Sequence, residues 1–445
     1  MSRDIEKILD YSKKALDFIV KKELNDEEVS WVNNEILTGF RDSFSPGFFE
    51  RHKEVASRPG SQEGIHPNGN YASLVKNNFI NCLGGYGTYN IGHRHPRVVE
   101  ALKNEMERQV LNGHELFDPL SAMLSRLVSM ITPGELQISL FTNIGREPVE
   151  GALKLARIST GRTGIVAAVR NPGGRNGCAA RTVPVTGCFI PGQAEEPVYR
   201  EVPFGDADTL EQIIAASSSG GCETAAVILE PILSSGGVIV PPDDYLEQVR
   251  DICNRYKALL IIDETETGIG QTGKLFAIEH YEVAPDILCI GRAFGGGVVP
   301  IGAFVSTLKV WQTVNTNPFV HMYAYDANPL ACAAAIAGIR VILDEGLVEQ
   351  AAEKGNYFLP RIQFIAGRSR IITEARGKGL LIGIEFVDSQ TSYRAAQKLF
   401  EKEILVSLSE SNPATVCIEP PLNISIAEID RIIEALEEIS RELDI

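Results

Sequence analysis

The stretch Leu259–Gly297 constrains the fold of this chain more than any other segment. It contains two short apolar runs, Leu259–Ile262 and Ile287–Ile290, whose length and β-branched content predict buried strands. The first run ends at Asp263, and the second is followed closely by Arg292. In open α/β sheets, ligands bind outside the carboxyl ends of parallel strands. The stretch therefore predicts an α/β sheet with polar, reactive groups gathered at one edge.

The composition is that of a globular protein. The chain has 445 residues, 44% of them hydrophobic and 22% charged, which suits one large or two medium domains. No apolar run approaches ~20 residues and no secretory core is present, so no membrane span and a cytoplasmic location are expected. The net charge of −16 argues against a nucleic-acid partner. Eight scattered cysteines without a CxxC pair favour buried free thiols, and no metal is expected.

Patterns on the N-terminal side of the central stretch alternate between helix and strand. Residues 1–45 predict one or two helices, and Pro96 predicts the start of another. A strand at Ile138–Thr142, a turn at 143–146 and a helix at Pro148–Arg157 follow. Such a turn is a natural anion site, because free backbone N–H groups and the helix dipole converge there.

Further elements complete a two-domain interpretation. A buried strand is predicted at Thr224–Glu230, a helix at Tyr245–Tyr256 and another strand at Ile301–Ser306. The predicted organisation is an N-terminal helical segment that joins the small domain (1–75), a large domain (76–335) and a C-terminal small domain (336–445).

The central stretch resembles the core of class III aminotransferases of the ornithine/putrescine type, and is most similar to putrescine/polyamine aminotransferases. The runs GHRHP at 92–96, EGALKLAR at 150–157 and EPPL at 419–422 are similar to the family too, and the likeness covers roughly residues 25–440. It implies the α/β fold of type I transferases dependent on pyridoxal phosphate (PLP), with a mostly parallel mixed sheet in the large domain and a small α/β domain. It also implies a homodimer.

The resemblance implies a PLP site from which this chain departs. The family aspartate that holds the pyridine nitrogen is present as Asp263, but Arg292 stands where the family has its Schiff-base lysine. In the turn that grips the cofactor phosphate, Gly145 remains, whereas Ile144 and Arg146 replace the family's serine and threonine.

Other cofactor contacts of the family are missing as well. Ala324, flanked by Tyr323 and Tyr325, stands where a family threonine reaches the neighbouring subunit's phosphate. No Phe, Tyr, Trp or His lies from 166 to 188, where the family has a ring that stacks on the cofactor. Glu266 replaces a family glutamine that contacts the ring oxygen.

The chemistry of Arg292 bears on one reaction in particular. Transamination needs a neutral amine that forms an imine and then moves a proton. A guanidinium has a pKa above ~12 and supplies neither role. PLP is therefore implied by the family resemblance alone, and the residues themselves predict no cofactor.

Two interpretations of this pocket stay open. In the first, Arg292 folds onto Asp263 or Glu266 as a buried ion pair that fills the vacated site. In the second, the pocket binds a new ligand or performs acid–base chemistry. The candidate catalytic residues are Glu266, Asp263, Arg292 and Tyr325, and the candidate ligand-binding residues are Gly145, Arg146, Glu230, Tyr323 and Ala324.

Three functions are consistent with the sequence. The first is PLP-independent chemistry or ligand binding on a small amine-type molecule in a specialised biosynthetic pathway. The second is the family activity, a PLP-dependent putrescine/polyamine aminotransferase. The third is a non-catalytic pseudoenzyme that acts as a partner subunit. The expected partners are a small molecule and a second copy of the chain.

Overall fold

The computed structural model describes residues 5–20, 25–39, 79–85, 87–108, 117–143, 147–169, 198–315 and 325–444. The chain divides into two compact units, of which the first holds Met1–Phe79 with Phe400–Glu403. The second holds Ile80–Leu399 and Ile404–Ile445. The domain boundaries at residues 75 and 335 stay a prediction.

The first unit contains two helices, α1 (Ile5–Val20) and α2 (Asp26–Gly39). Tyr11 links them, because its hydroxyl donates a hydrogen bond of 3.0 Å to Glu35 and its ring meets Trp31 edge-on. The prediction of one or two N-terminal helices is confirmed for these residues.

A seven-stranded sheet forms the core of the second unit. Its strands are β2 (Leu136–Thr142), β3 (Gly164–Val169), β4 (Val198–Pro203), β5 (Thr224–Leu229), β6 (Leu259–Glu264), β7 (Ile287–Ile290) and β8 (Gly302–Thr307). They lie in the order β2-β8-β7-β6-β5-β3-β4. β8 is antiparallel to its neighbours β2 and β7, and the other pairs in the sheet are parallel. β5, β6 and β7 therefore end at the same edge.

The central strands are buried on both faces. In β5, Val227 and Leu229 join a hydrophobic cluster on one face, whereas Ala226 and Ile228 join a second cluster on the other. Because successive side chains of a strand alternate between faces, a continuous apolar run fits only a sheet that is covered on both sides. The predicted α/β fold class with a mostly parallel sheet is confirmed.

Helices cover this sheet and continue into the C-terminal region. They are α3 (Pro96–Arg108), α4 (Pro119–Ile131), α5 (Glu147–Thr160), α6 (Ala207–Ser219), α7 (Tyr245–Tyr256), α8 (Leu308–Trp311), α9 (Pro329–Asp344), α10 (Leu347–Ala366), α11 (Ser389–Glu401) and α12 (Ile426–Leu443). The side chain of Asp118 caps α4 by accepting the N–H of Ser121, and Pro119 occupies the first turn.

Two smaller sheets complete the second unit. β9 (Ile372–Lys378), β10 (Leu381–Phe386), β12 (Ser407–Leu408) and β13 (Thr415–Ile418) form a four-stranded antiparallel sheet in the order β12-β13-β10-β9. β1 (Ile80–Asn81) pairs in parallel with β11 (Ile404–Leu405). Just beyond them, Leu83 bridges to Glu419, which ties the start of this unit to its C-terminal segment.

Two predictions from composition can be compared with the described residues. Six cysteines lie there, all as free thiols, and five of them are buried. The prediction of buried free thiols is confirmed for those five, and Cys222 is half-buried. Within the same residues, no helix combines the length and the apolar character needed to span a bilayer.

Candidate functional site

Four carboxylates and one guanidinium interact beyond the carboxyl ends of β5, β6 and β7. Glu230 directly follows β5, Asp263 is the second-last residue of β6, and Glu266 comes two residues after that strand. Arg292 follows β7 by two residues, and Glu419 directly follows β13. Arg292 acts electrostatically on all four carboxylates. Glu230, Asp263, Glu266 and Glu419 are called the carboxylate cluster below.

Arg292 forms an ion pair with Glu266. Its Nη2 lies 2.5 Å from Oε1 of Glu266, and the two side chains are 33% and 13% exposed. The backbone of Arg292 has a φ of 46°, in the left-handed region that non-glycine residues rarely adopt. Such strain persists where the surrounding structure holds it in place, and it concentrates at functional sites. Of the two partners proposed for Arg292, the ion pair is with Glu266.

Asp263 is buried and is held by its neighbour in the chain. Its Oδ1 accepts the backbone N–H of Thr265 at 3.0 Å and the Thr265 hydroxyl at 2.7 Å. Burial raises the pKa of this carboxyl, and the two Thr265 hydrogen bonds and Arg292 oppose the rise. These contacts fix the orientation of Asp263 at the end of β6.

Burial acts strongly on the carboxylate of Glu230. Its Oε2 accepts the backbone N–H of Ser234 at 3.0 Å, and its Oε1 accepts the hydroxyl of Ser235 at 3.4 Å. Burial, together with the negative charges of Glu266 and Asp263, raises the pKa of Glu230 well above its usual range. The proton-bearing form of Glu230 is therefore favoured.

Burial also raises the pKa of Glu266, and the charges of Asp263 and Glu410 add to the rise. The ion pair with Arg292 and a side-chain hydrogen bond with Ser234 act in the opposite direction. Glu266 is the member of the cluster in direct contact with the guanidinium, so its charge is the one that Arg292 compensates most closely.

Glu419 also belongs to the site, although no local pattern in the sequence indicates it. Its Oε2 accepts the backbone N–H of Gly87 at 3.2 Å. Burial, with a further contribution from Glu266, raises the pKa of Glu419 to about 8. Gly87 has a φ of 83°, and a Cβ there would lie 2.7 Å from the carbonyl oxygen of Glu266. The glycine-rich turn after β1 thus packs directly on the site.

Glu264 has a structural role. Its carboxylate accepts the hydroxyl of Thr267 at 2.7 Å and the backbone N–H groups of Ala277 and Ile278 at 2.9 and 2.7 Å. Burial raises the pKa of Glu264 to about 7. Alternation along β6 directs Glu264 and Asp263 to opposite faces, so Glu264 fastens the segment at 277–278 to the strand.

A second group of polar contacts surrounds the turn between β2 and α5. The backbone N–H of Asn143 donates to Oε2 of Glu147 at 2.7 Å, and its Nδ2 donates to Oδ1 of Asp326 at 3.0 Å. Asp326 is 5% exposed. Tyr325, a predicted catalytic residue, is 69% exposed, and its catalytic role stays a prediction. The predicted ligand-binding residues Gly145, Arg146, Tyr323 and Ala324 lie outside the described residues.

The cluster has a clear chemical capability. Four carboxylates face one guanidinium, and among the described residues Arg292 is the cation that acts on all of them. Glu419, whose pKa burial raises to about 8, can donate and accept a proton near neutral pH.

Known structures share this fold over most of its length. Acetylornithine aminotransferase from Elizabethkingia anophelis matches with a TM-score of 0.70 and 29% identity, over 82% of this chain and 89% of that one. An ornithine aminotransferase from Toxoplasma gondii, crystallised with oxidised glutathione and partially occupied by PLP, matches with a TM-score of 0.72 and 30% identity, over 82% and 87%. Ornithine δ-aminotransferase from Plasmodium falciparum matches with a TM-score of 0.71 and 27% identity, over 82% of this chain and 89% of that one.

The model of the family described as aminotransferase class-III matches residues 67–440. That range includes the seven-stranded sheet, the carboxylate cluster and Arg292. The chain therefore belongs to the class III aminotransferase family.

Proposed function

We propose that this chain uses the class III aminotransferase scaffold to bind a small amine at the carboxylate cluster and acts on it without PLP. The observation that carries the proposal is the position of the Arg292 guanidinium two residues after β7, among the carboxylates that it acts on. In the family, the residue at this place is the lysine that forms an imine with the cofactor. The Arg292 guanidinium stays protonated at ordinary pH and offers no neutral amine. The donor set therefore does not fit an imine-bound PLP.

The charges of the site favour an amine as the ligand. Burial and mutual repulsion raise the pKa values of Glu230 and Glu266, and one guanidinium does not compensate the whole cluster. Buried carboxylates need an opposite charge and hydrogen-bond donors, and a protonated amine supplies both. Glu266 is the proposed general acid or base, because it lies against Arg292 and its raised pKa suits proton transfer.

The absorbance spectrum of the purified protein tests the cofactor part of the proposal. The protein is measured as isolated and again after incubation with PLP and desalting. The proposal expects no retained band in the near-ultraviolet to visible range. A band that survives desalting supports the alternative, a PLP-dependent putrescine/polyamine aminotransferase. The family match and the presence of Asp263 favour this alternative.

Calorimetric titration with putrescine tests the ligand part. The wild type is expected to bind, and Glu266→Gln is expected to weaken binding by about tenfold or more, because the variant loses a buried charge partner. Glu434→Gln is the matched control, since Glu434 is an exposed residue of α12. Wild-type protein that gives no binding heat with putrescine, or equal affinity in wild type and Glu266→Gln, contradicts the proposal.

The proposal includes a homodimer. Met106 of α3 and Met123 and Met130 of α4 are each at least 60% exposed. Large apolar side chains at the surface of neighbouring helices are typical of an interface. Light scattering after size exclusion is expected to give twice the chain mass, and Met123→Glu is expected to lower it. A heteromeric partner subunit, the third function considered, would use the same surface and would leave the purified chain monomeric.

A further inference from the structure

Aromatic rings and guanidinium groups alternate along one side of α10. Tyr357, Arg361 and Phe364 are spaced by four and three residues, which places them on the same face of the helix. Arg368 lies in the turn that directly follows α10, and its guanidinium carbon is 5.2 Å from the centre of the Phe364 ring. Both arginines are exposed, and Phe364 is 63% exposed. These four side chains are called the aromatic–arginine stripe below.

The aromatic rings hold the two guanidinium groups in place. The guanidinium carbon of Arg361 lies 3.5 Å from the centre of the Tyr357 ring, and its Nη1 donates to the carbonyl oxygen of Tyr357 at 2.7 Å. The Tyr357 hydroxyl in turn donates to Oδ1 of Asp430 in α12 at 2.7 Å, which fixes the ring. A guanidinium that stacks on a ring keeps N–H donors at its edge for a carboxylate. The stripe therefore presents cations that are already oriented.

The charge of the stripe is not balanced by local ion pairs. Within the part of the chain that the structure describes, neither Arg361 nor Arg368 forms an ion pair with a carboxylate. The chain as a whole has a net charge of −16, so exposed cations without carboxylate partners run against its overall charge. Arginine and large aromatic side chains are also the residues that dominate binding energy at protein interfaces. The complementary surface is acidic and carries an apolar side chain.

The spacing of the two guanidinium groups selects the shape of that partner. Arg361 and Arg368 are seven residues apart, which corresponds to about 10 Å along a helix axis. Two carboxylates seven residues apart on a partner helix have the same separation and lie on one face. On one face of an extended strand, side chains are separated by about 7 Å or about 14 Å, and neither distance matches.

We propose that the aromatic–arginine stripe is a docking surface for an acidic amphipathic helix of a partner protein. Two carboxylates of that helix, seven residues apart, bind Arg361 and Arg368, and an apolar side chain between them packs on Phe364. The surface lies on α10 and the turn after it, and the proposal does not depend on the chemistry of the carboxylate cluster.

A fluorescently labelled, alanine-based helical peptide tests the proposal by fluorescence anisotropy. The probe carries two glutamates seven residues apart with a leucine between them. One control peptide has glutamines in place of both glutamates, and a second has the glutamates five residues apart, which puts them on different faces. The protein variants are Arg361→Gln, Arg368→Gln, their combination and Phe364→Ala. Arg394→Gln is the matched control, because Arg394 is an exposed arginine of α11 that also lacks an ion pair among the described residues.

The wild type and Arg394→Gln are expected to bind the probe equally, with an affinity that falls as salt is added. Each single arginine variant and Phe364→Ala are expected to weaken binding by about threefold or more, and the double variant by about tenfold or more. Circular dichroism reports that each variant is folded, and an unchanged putrescine affinity shows that the carboxylate cluster is unaffected. The proposal is overturned by a wild type that does not bind the probe, by equal binding of either control peptide, or by folded stripe variants that keep the wild-type affinity.

Discussion

Replacing Glu419 by glutamine removes one titrating group from the site while keeping its shape. The carboxyl is 6% exposed, and its Oε2 accepts the N–H of Gly87 at 3.2 Å. The glutamine side chain has the same length and an oxygen that accepts the same N–H. The change therefore isolates the ionisation of Glu419 from its packing.

The magnitude follows from the pKa of Glu419, which burial raises from 4.5 to about 8. Between these values the folded state holds a proton that the unfolded state has released. The free energy of unfolding therefore falls as pH rises through this window, by about 1.36 kcal/mol for each pH unit. The contribution of Glu419 to the free energy of unfolding is fully present below a pH of 4.5 and is lost above a pH of about 8. The total loss across this window is about 5 kcal/mol.

Urea denaturation at pH values from about 5 to about 8.5 measures this dependence. Relative to wild type, Glu419→Gln is expected to become steadily more stable as pH rises, because it carries no carboxyl to ionise. The exposed control Glu434→Gln is expected to follow the wild type at every pH. Parallel curves for wild type and Glu419→Gln would refute the assignment of Glu419 as a buried, proton-bearing member of the cluster.

Three further predictions concern the same site. Arg292→Lys restores an amine at the end of β7, so an imine band is expected after incubation with PLP and desalting; a folded variant without that band would show that Arg292 alone does not account for the loss of the cofactor. Putrescine binding is expected to release protons and to tighten from about pH 6 to about pH 8, because a ligand cation lowers the raised pKa values of the cluster; titration heats that are the same in buffers of different ionisation enthalpy would count against this linkage. Gly87→Ala is expected to lower the free energy of unfolding by about 2 kcal/mol or more, because the added Cβ would lie 2.7 Å from the carbonyl oxygen of Glu266. Gly161→Ala is the matched control, since Gly161 has a φ of 69° but a Cβ there would have nothing within 4 Å. Equal changes in melting temperature for the two variants would show that close packing at Gly87 is unimportant.

The sheet was predictable because its strands carry a local signal. The run Ile287–Ile290 and the helix Tyr245–Tyr256 have the bounds predicted from periodicity, and β6 extends its predicted run by two residues to Glu264. A short, continuous apolar run is typical of a parallel strand that is buried on both faces. The same logic explains why Glu230 and Asp263, which close such runs, lie at one edge.

The parts of the site that escaped prediction depend on long-range contacts. Glu419 belongs to a segment far from the central strands, and nothing near it in the sequence indicates that it interacts with Glu266. Glu264 is adjacent to Asp263 in the sequence, but alternation along β6 directs it to the backbone amides at 277–278, and no local pattern in the sequence indicates this contact. The 69% exposure of Tyr325 likewise has no local signal in the sequence, and its role at the site stays a prediction.

The bridge between Leu83 and Glu419 also bears on how the protein is made. The backbone N–H of Glu419 donates to the carbonyl of Cys82 at 2.9 Å, so this contact joins residues more than 330 positions apart. A ribosome adds about 5–20 residues per second, so the glycine-rich turn waits tens of seconds for its partner to be synthesised. During that time β5, β6 and β7 can already pair, with Glu230, Asp263 and Glu266 still open to water. A nascent chain that stops short of residue 419 therefore contains the strands of the large sheet but lacks the carboxylate that completes the cluster.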